Sequence, residues 1–430
     1  MMAAAGEFRP LGQGDDLEAL FDVRTRAFGP SAADERRQWQ AETEHVVGER
    51  RYFAVFDGNR IIAAARVHDM IQWWHGRPLP MAGVATVMVA PEDRGRGAGR
   101  HLMTELLAEI TRRGYPLSAL YPATTALYRP LGWEIAGNAD TAVLPSRALR
   151  SLSPPDVTQP GTAPLRRAQP QDAAEVIRVL GRNHEMARDC GPVTRDEATV
   201  RRFLADPDWY CYLAPDGFLA YRWHGHSEIF VERAVAVSEA TTRALWGIVS
   251  SHGSIARTVR AHVGSGDPIW WLTRERDIEV SKDTWMLRAV DPAAAIAGRG
   301  FPPGTEVTAW IRLEDAALPA NSGLWTLEVS GGKGALTRSV APAGRTGGTG
   351  NDSSGTGGSG TGGSENGGSE NGGSADGGAV TVGARGFAAM FAGIPLATLR
   401  RAGLAVGGDP GTDPALDAPF AAASFLLDHF

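Results

Sequence analysis

The chain has 430 residues, 43% of them hydrophobic, which is enough for about two to four globular domains. Its net charge of −6 argues weakly against a protein whose main task is binding the phosphate backbone of nucleic acids, because such proteins carry a basic face. The two cysteines, Cys190 and Cys211, are too few for a disulfide framework and lack metal-ligand spacing, so we expect a cytoplasmic protein without a metal. We expect neither a signal peptide nor a membrane helix, because no uncharged apolar run approaches about 18 residues.

The segment 1–150 predicts a unit of mixed helix and antiparallel hairpin. A strand, EFRPL, precedes an amphipathic helix for which Asp15 is the expected N-cap. The predicted elements that follow are a hairpin around Asp57-Gly58-Asn59, a strand pair around Gly76 with its second strand at 84–89, a helix at about 97–113 and a short strand at 118–121. This order of elements indicates an α+β fold.

A second copy of this unit is predicted after a Pro- and Gly-containing linker at 153–161. The segment PLRRAQPQDAAEVIRVL resembles EFRPLGQGDDLEALFDV, and the corresponding residues are Arg166 with Arg9, Asp172 with Asp15 and Glu175 with Glu18. The copy has its own strand–turn–strand, WYCYLAPDGFLAYRW, and a strand at 229–237. No glycine-rich turn joins that strand to the helix after it, so we expect a structural unit without a cofactor site.

The last third of the chain has a different pattern. VTAWIRL and LWTLEV are predicted strands, and two short helices are expected at 387–392 and 396–402. The Gly- and Ser-rich segment 344–378 cannot bury apolar surface, so we expect a disordered loop that enlarges a hairpin between ALTRSV and AVTV. A recognition segment is the alternative for this loop. The apolar end of the chain, 420–430, is expected to dock on the protein.

The strongest motif lies where a predicted strand ends and a helix begins, at Arg94-Gly95-Arg96-Gly97-Ala98-Gly99. A helix N-terminus offers unpaired amides and positive potential, glycine lets a phosphate approach the backbone, and arginine adds charge. The motif therefore predicts a diphosphate site. It is neither G-x-G-x-x-G nor a P-loop, since no Lys-Ser/Thr follows. An ordinary basic turn or an RGG-like nucleic-acid element remains the alternative.

Two further features could carry chemistry. Tyr128 precedes an Arg-Pro-Leu-Gly-Trp turn and is either a functional residue or a core tyrosine, whereas Tyr121 at a strand end is expected to pack. Docking of the tail would bring the α-carboxylate of Phe430 into the protein, or would only anchor the tail.

The turn at 94–99 fits Arg/Gln-x-x-Gly-x-Gly/Ala, the acyl-CoA-binding pattern of the GCN5-related N-acetyltransferases (GNATs). Together with LYRPLGWE, DTWMLRAVDPAAAIAGRGF, LPANSGLWTLEV and the Phe-ended tail, it resembles the Eis-type (enhanced intracellular survival) acetyltransferases over essentially the whole chain. The resemblance implies tandem GNAT-like domains, the first catalytic at 1–150 and the second degenerate at 163–290. A sterol-carrier-protein-like α/β domain at 291–430 and a hexameric assembly are also implied.

The resemblance further implies direct transfer of acetyl from acetyl-CoA to a primary amine, aminoglycoside-like or otherwise polycationic, without a metal, nucleic acid or membrane partner. Tyr128 would be the general acid and the carboxylate of Phe430 the general base. The residues that would hold acetyl-CoA are Val87, Met88, Val89, Arg94, Gly95, Arg96, Gly97, Ala98, Gly99, Arg100 and Thr124. Those that would frame the amine are Phe28, Glu35, Trp39 and His429, with Glu42 and Asp428 as further candidates.

Two other classes of protein compete with this interpretation. The last domain favours a lipid or sterol carrier, and the middle domain shows that a GNAT unit here could have decayed into a binding module. The intact turn at 94–99 and Tyr128 count against decay of the first unit.

Overall fold

The computed structural model of the chain describes residues 6–30, 33–152, 164–274, 277–339 and 378–430. The predicted linker at 153–161 and residues 344–377 of the predicted loop lie outside the described residues. Within the described ranges, no helix combines the length and apolarity that a membrane crossing requires.

The first part of the chain contains the predicted hairpins and helices. Its elements are β1 (Glu7–Pro10), α1 (Leu17–Phe28), α2 (Ala33–Gly48), β2 (Tyr52–Asp57), β3 (Arg60–Trp74), β4 (Arg77–Val89), α3 (Ala98–Arg112), β5 (Leu117–Leu120) and β6 (Glu134–Pro145). The turn at Asp57-Gly58-Asn59 joins β2 to β3, and Gly76 joins β3 to β4 in the left-handed conformation, with φ of 75°. The alternation of apolar residues and the turn residues therefore predicted these pairings correctly.

The predicted N-cap of α1 was wrong by one residue. Asp16 accepts hydrogen bonds from the amides of Glu18 and Ala19 and caps the helix. Asp15 instead accepts from the amide of Gly12 at 2.8 Å and forms a bidentate ion pair with Arg9. Both aspartates can serve a helix start, and only the backbone geometry decides which of them reaches the helix amides.

The second part repeats this arrangement. Its elements are β7 (Arg166–Arg167), α4 (Ala173–Ala187), β8 (Cys190–Arg195), α5 (Glu197–Ala205), β9 (Tyr210–Ala214), β10 (Gly217–His224), β11 (Glu228–Ala236), α6 (Glu239–Ser250), β12 (Thr258–Val263), α7 (Ile269–Leu272) and β13 (Glu279–Ala289). Asp172 pairs bidentately with Arg166 and accepts from the amide of Gln169 at 2.7 Å, in the manner of Asp15 with Arg9 and Gly12. The two units thus share this arginine–aspartate arrangement as well as the sequence pattern.

The two units share one sheet. The strand order in the described residues is β1-β2-β3-β4-β5-β13-β6-β12-β11-β10-β9-β7, with β8 paired to β3. Strand β13 runs antiparallel to β5 on one side and to β6 on the other, so residues 279–289 complete the sheet of the first unit.

The third part forms a separate sheet with short helices around it. Its elements are α8 (Pro292–Gly298), β14 (Val307–Glu314), β15 (Gly323–Ser330), β16 (Lys333–Arg338), β17 (Val380–Gly383), α9 (Ala384–Phe391), α10 (Leu396–Arg401), β18 (Ala405–Gly407) and α11 (Asp413–Asp417). The order is β16-β15-β14-β17-β18. The predicted enlarged hairpin was therefore wrong, because β17 lies parallel to β14 and is separated from β16 by two strands, β15 and β14. Two strand-like segments that follow one another in the sequence predict a hairpin, but in the structure they pair with different strands and not with each other.

The faces of the shared sheet carry different cores. On one face, α3 covers a cluster that includes Val84 of β4, Leu120 of β5 and Tyr128. On the other face, α1 and α2 cover a cluster that includes Met88. A third cluster joins Met81 and Ala119 on this second face to the third part of the chain and to its C-terminal tail.

Candidate active site

The sheet opens between β4 and β5. These parallel strands pair only from Met81 with Leu117 to Val84 with Leu120, after which β4 continues to Val89 without β5. Thr86 has a φ of 52°, and the register with β3 shifts at this point, so a β-bulge in β4 lies at the start of the opening. The result is a gap through the sheet that begins at Val84 and Leu120.

The backbone of β4 faces this gap with two amides. The amide of Ala90 donates to the carbonyl of Ile62 near the start of β3, and amides alternate in direction along an antiparallel strand. The amides of Val87 and Val89 therefore point away from β3 and towards the gap. The side chains of these two valines pack on the α3 face, whereas that of Met88 packs on the opposite face.

The glycine-rich turn lies at the N-terminus of α3. Gly95 and Gly97 have φ of 76° and 91°, and a Cβ placed on either would meet no atom within 4 Å, so the turn is open. Gly97 is the N-cap and no side chain caps the helix. The first turn, Ala98, Gly99 and Arg100, contains no acidic residue, and the amide of His101 donates to the carbonyl of Gly97 at 2.9 Å. The helix start therefore presents amides and positive potential to an anion.

Neighbouring groups hold this turn in place. A Cβ on Gly99 would lie 3.2 Å from Val89 Cγ2, so glycine allows α3 to approach β4 closely. Asp93 is buried and pairs with Arg60, and the guanidinium of Arg94 donates to the carbonyl of Ala27 at 3.3 Å. The side chain of Arg96 is 70% exposed, with one guanidinium nitrogen 3.7 Å from the Asp93 carboxylate. Most of Arg96 thus remains open to an anion, while Arg94 also ties the turn to the end of α1.

The loop after β5 carries the two other residues predicted for the site, Thr124 and Tyr128. Thr124 is exposed, and its hydroxyl accepts from the amide of Ala126 at 3.4 Å. Tyr128 is buried in the cluster beneath α3, and burial raises the pKa of its phenol to about 12. Its hydroxyl therefore keeps its proton at neutral pH, as a proton donor must.

The equivalent helix of the second unit, α6, does not offer such a site. It follows β11 and precedes β12, which are parallel like β4 and β5. Ser238 caps it, Glu239 lies in its first turn, and Asp216 accepts hydrogen bonds from the amide of Ser238 and the hydroxyl of Thr241. A carboxylate already occupies the anion position, so a diphosphate would be repelled there.

The C-terminal tail docks as expected, on the face of the sheet opposite α3. The amide of Phe425 donates to the carbonyl of Cys190, and that of Leu426 to the carbonyl of Asn138, both at 3.0 Å. The ring of Phe430 lies against Gly83, where an added Cβ would be 3.1 Å from its Cδ2 atom. Gly83 immediately precedes Val84, the last residue of β4 that pairs with β5, so the tail ends beside the gap in the sheet.

The residues expected to frame an amine lie mainly on this tail face, but they do not form one cluster. Phe28 ends α1 and is 55% exposed, whereas Trp39 of α2 packs against Phe21 and is 8% exposed. Glu35 lies in α2, and its side chain is outside the described part. Glu42 is neutralised by Arg66 at 2.7 Å.

His429 and Asp428 reach the region with the tail. His429 stacks on Tyr121 with 4.5 Å between ring centroids, and burial lowers its pKa. The carboxylate of Asp428 pairs with Arg233 of the second unit and not with a residue of the first unit that is expected to frame an amine.

The sequence did not single out the second unit's contribution to this region. Arg195 at the end of β8 and His262 on β12 both bind the tail. A repeat detected in sequence gives the fold of the second unit but not which of its side chains meet a segment some 160 or more positions away. In the described residues, no group of three or more His, Cys, Asp or Glu side chains is arranged to hold a metal ion.

Comparison with known proteins agrees with this geometry. Two family models, each described as an acetyltransferase (GNAT) domain, match residues 7–136 and 191–289. A crystal structure of a GCN5-related N-acetyltransferase from Kribbella flavida superposes with a TM-score of 0.84 at 38% identity, covering 99% of each chain. An uncharacterized N-acetyltransferase of Streptomyces avermitilis is 27% identical over 358 residues, 75% of this chain and 82% of the relative.

The N-acetyltransferase Eis of Mycobacterium tuberculosis is 25% identical over 241 residues, 52% of this chain and 58% of its own length. With the open sheet and the uncapped helix, these matches define the class: the chain belongs to the GCN5-related N-acetyltransferases, and it is an acetyltransferase with two GNAT units in tandem. Within that family it is an Eis-type acetyltransferase.

Proposed function

We propose that this acetyltransferase transfers an acetyl group from acetyl-CoA directly to a primary amine of a polycationic, aminoglycoside-like acceptor. One observation carries the proposal. The uncapped start of α3 and Tyr128 lie on one face of the sheet, the tail ending at Phe430 lies on the other, and the gap after Val84 connects the two faces. A donor and an acceptor can thus meet within the sheet from opposite sides.

The residues of the turn fit a coenzyme A diphosphate. The amides of Ala98, Gly99 and Arg100 would donate to the phosphate oxygens, and the exposed guanidinium of Arg96 would add charge. The amides of Val87 and Val89 would hold the rest of the cofactor in the gap and polarise a carbonyl there. When bound, acetyl-CoA supplies the thioester whose acetyl group is transferred.

In the proposed mechanism, the neutral acceptor amine attacks the thioester carbonyl carbon, and the carbon–sulfur bond breaks. The carboxylate of Phe430 takes the proton that the amine loses, directly or through water. Tyr128 gives its phenolic proton to the departing sulfur and later regains one from solvent. Burial raises the pKa of Tyr128 to about 12, so the phenol is a weaker acid than a free thiol, and its donation to sulfur requires close positioning and a site that favours neutral sulfur.

A cationic acceptor fits the charges of the tail face. His429 stays neutral because burial lowers its pKa, so it does not repel an ammonium group. Phe28 is an exposed aromatic ring at the end of α1 on this face, and such a ring attracts cations.

Other parts of the proposal follow the family resemblance. The third part combines a mixed five-stranded sheet with helices, which supports a sterol-carrier-protein-like domain at 291–430 that presents the tail. The domain limits 1–150 and 163–290, a homo-hexamer and a cytoplasmic location belong to the same proposal. Light scattering of the purified protein tests the hexamer.

The test of the function is acetyl-CoA consumption with a panel of amines, followed by mass spectrometry to count the acetyl groups added. We expect aminoglycosides and other polyamines to be acetylated, and monoamines of similar size to react more slowly. Tyr212→Phe is a matched control for Tyr128→Phe, because it removes a phenol from β9 of the second unit. Absence of turnover with every polycationic amine, while another acceptor class is acetylated, would refute the proposed acceptor.

A further inference from the structure

Three consecutive backbone carbonyls of the tail each accept a hydrogen bond from a side chain elsewhere in the protein. His262 Nδ1 donates to the carbonyl of Leu427 at 2.9 Å. The hydroxyl of Tyr121 donates to the carbonyl of Asp428 at 2.8 Å. The guanidinium of Arg195 donates to the carbonyl of His429 at 2.9 Å. These contacts fix the backbone of every residue from 427 to 429, immediately before Phe430.

The side chains of the tail are held as well. The carboxylate of Asp428 is buried and pairs with Arg233 of β11. Burial alone would raise the pKa of Asp428, but Arg233 and Arg195 outweigh it and keep that pKa below its usual value. The carboxylate therefore stays ionised and paired at neutral pH.

Aromatic contacts set the direction in which the tail leaves this cluster. The ring of Tyr121 stacks on His429 and meets Phe430 edge-on, with 5.5 Å between the centroids. The ring of His262 lies 5.2 Å from that of His429. Tyr121 thus contacts both of the last two side chains, while His429 stays exposed and Phe430 half-buried, and Phe430 is directed onto Gly83 beside the gap.

Most of these holding groups belong to the second unit. Arg195 ends β8, Arg233 lies on β11 and His262 on β12, whereas Tyr121 follows β5 of the first unit. The second unit has a carboxylate at the helix position where the first unit has an open anion site. It thus offers side chains that hold the tail, and no comparable place for a diphosphate.

We propose that the second GNAT unit serves catalysis by holding the tail: Arg195 and His262, with Tyr121, are positioning residues that place the carboxylate of Phe430 at the gap. This inference rests on the proposed role of that carboxylate. It assigns a task to a unit without a cofactor turn. It also predicts that the effect of each positioning residue passes through Phe430.

The experiment compares Arg195→Met and Tyr121→Phe in the full chain and in a chain that lacks Phe430, in which the terminal α-carboxylate moves to His429, one residue short of the gap. Arg260→Met and Tyr212→Phe are the controls, because Arg260 pairs with Glu228 at the surface and Tyr212 lies on β9. We expect each positioning variant to lower kcat about tenfold, with KM for acetyl-CoA and the melting temperature close to those of the controls. Arg195→Lys keeps a donor for the His429 carbonyl and should recover part of the rate.

The chain without Phe430 separates the two proposals. If it is slow, and the positioning variants slow it no further, the tail-holding role is supported by the non-additivity. If it is slow but Arg195→Met and Tyr121→Phe match their controls in the full chain, the tail-holding role is refuted and the carboxylate base stands. The same refutation follows if both variants lose as much rate without Phe430 as with it. If removing Phe430 leaves the rate unchanged, the position of the terminal carboxylate does not matter, so Phe430 fails as the positioned base and the tail-holding role fails with it.

Discussion

Replacing Glu232 by Gln should make the protein more stable at pH 8 than the unmodified chain, but not at pH 4.5. Glu232 lies on β11 near the buried end of the tail, with 3.6 Å between one of its carboxylate oxygens and His262 Nδ1. Burial, reinforced by the charge of Asp428, raises the pKa of Glu232 to about 7. Arg233, Arg195 and His429 act in the opposite direction without cancelling this rise.

The sign and size follow from proton linkage. The reference pKa of 4.5 is below the folded value of about 7, so the folded state holds the extra proton between these pH values. Stability therefore falls as pH rises from about 4.5 to about 7, and the loss is complete above that range. At 1.36 kcal/mol per pKa unit the full loss is about 3 kcal/mol, and most of it arises between pH 5 and pH 8.

The assay is the free energy of unfolding in urea at pH 5 and pH 8, measured for the unmodified chain and for Glu232→Gln. Between pH 5 and pH 8 the unfolding free energy of the variant should rise by about 2–3 kcal/mol relative to that of the unmodified chain. Glu228→Gln, on the same strand but in a surface ion pair with Arg260, is the control and should change by less than about 1 kcal/mol. An equal pH dependence in Glu232→Gln and the unmodified chain would show that Glu232 is not held protonated.

Three further predictions concern the site and its repeat. Tyr128→Phe should lower kcat on the order of 100-fold with little change in KM for acetyl-CoA, since it removes a proton donor and leaves the cofactor turn intact; steady-state kinetics with unchanged kcat would contradict this. Gly97→Val should raise the Kd for acetyl-CoA in calorimetry, because a β-branched residue is strained at φ of 91°; an unaltered Kd would argue against this turn. Asp15→Asn and Asp172→Asn should each cost about 1–3 kcal/mol of unfolding free energy and by similar amounts, because both pair bidentately with an arginine; costs that differ severalfold would show that the repeat is not energetically equivalent.

Local signals in the sequence predicted much of the fold. The apolar spacing of Leu102, Leu106 and Ile110 predicted the buried face of α3, and Gly114 after it has the left-handed conformation, with φ of 77°. The correspondence of Arg166 with Arg9 predicted a second unit, which the structure and the family matches confirm. These features depend on residues that are close in the chain, so one sequence is enough to reveal them.

Long-range pairing could not be predicted in this way. Nothing in the segment 279–289 indicates that it lies between β5 and β6, because strand-forming residues do not specify a distant partner. The same reason explains the wrong hairpin before β17. Strand partners are chosen by tertiary packing, which one sequence does not display.

The part of the candidate site that could be predicted from the sequence is the glycine-rich turn, because it depends only on the backbone of neighbouring residues. The motif at 94–99 indicated an open helix start, and the structure has one there. The tail contacts were not predictable, because Arg195 and His262 donate to main-chain carbonyls, which every residue has. Tyr121 was expected only to pack, yet its hydroxyl binds the tail.

The most direct test of the proposed cofactor site is a crystal structure of the protein with acetyl-CoA bound. We expect the diphosphate oxygens to accept hydrogen bonds from the amides of residues 98–100, with the pantetheine arm in the gap beside Val87 and Val89. A diphosphate bound at any other surface, or a cofactor arm outside the gap between β4 and β5, would contradict it.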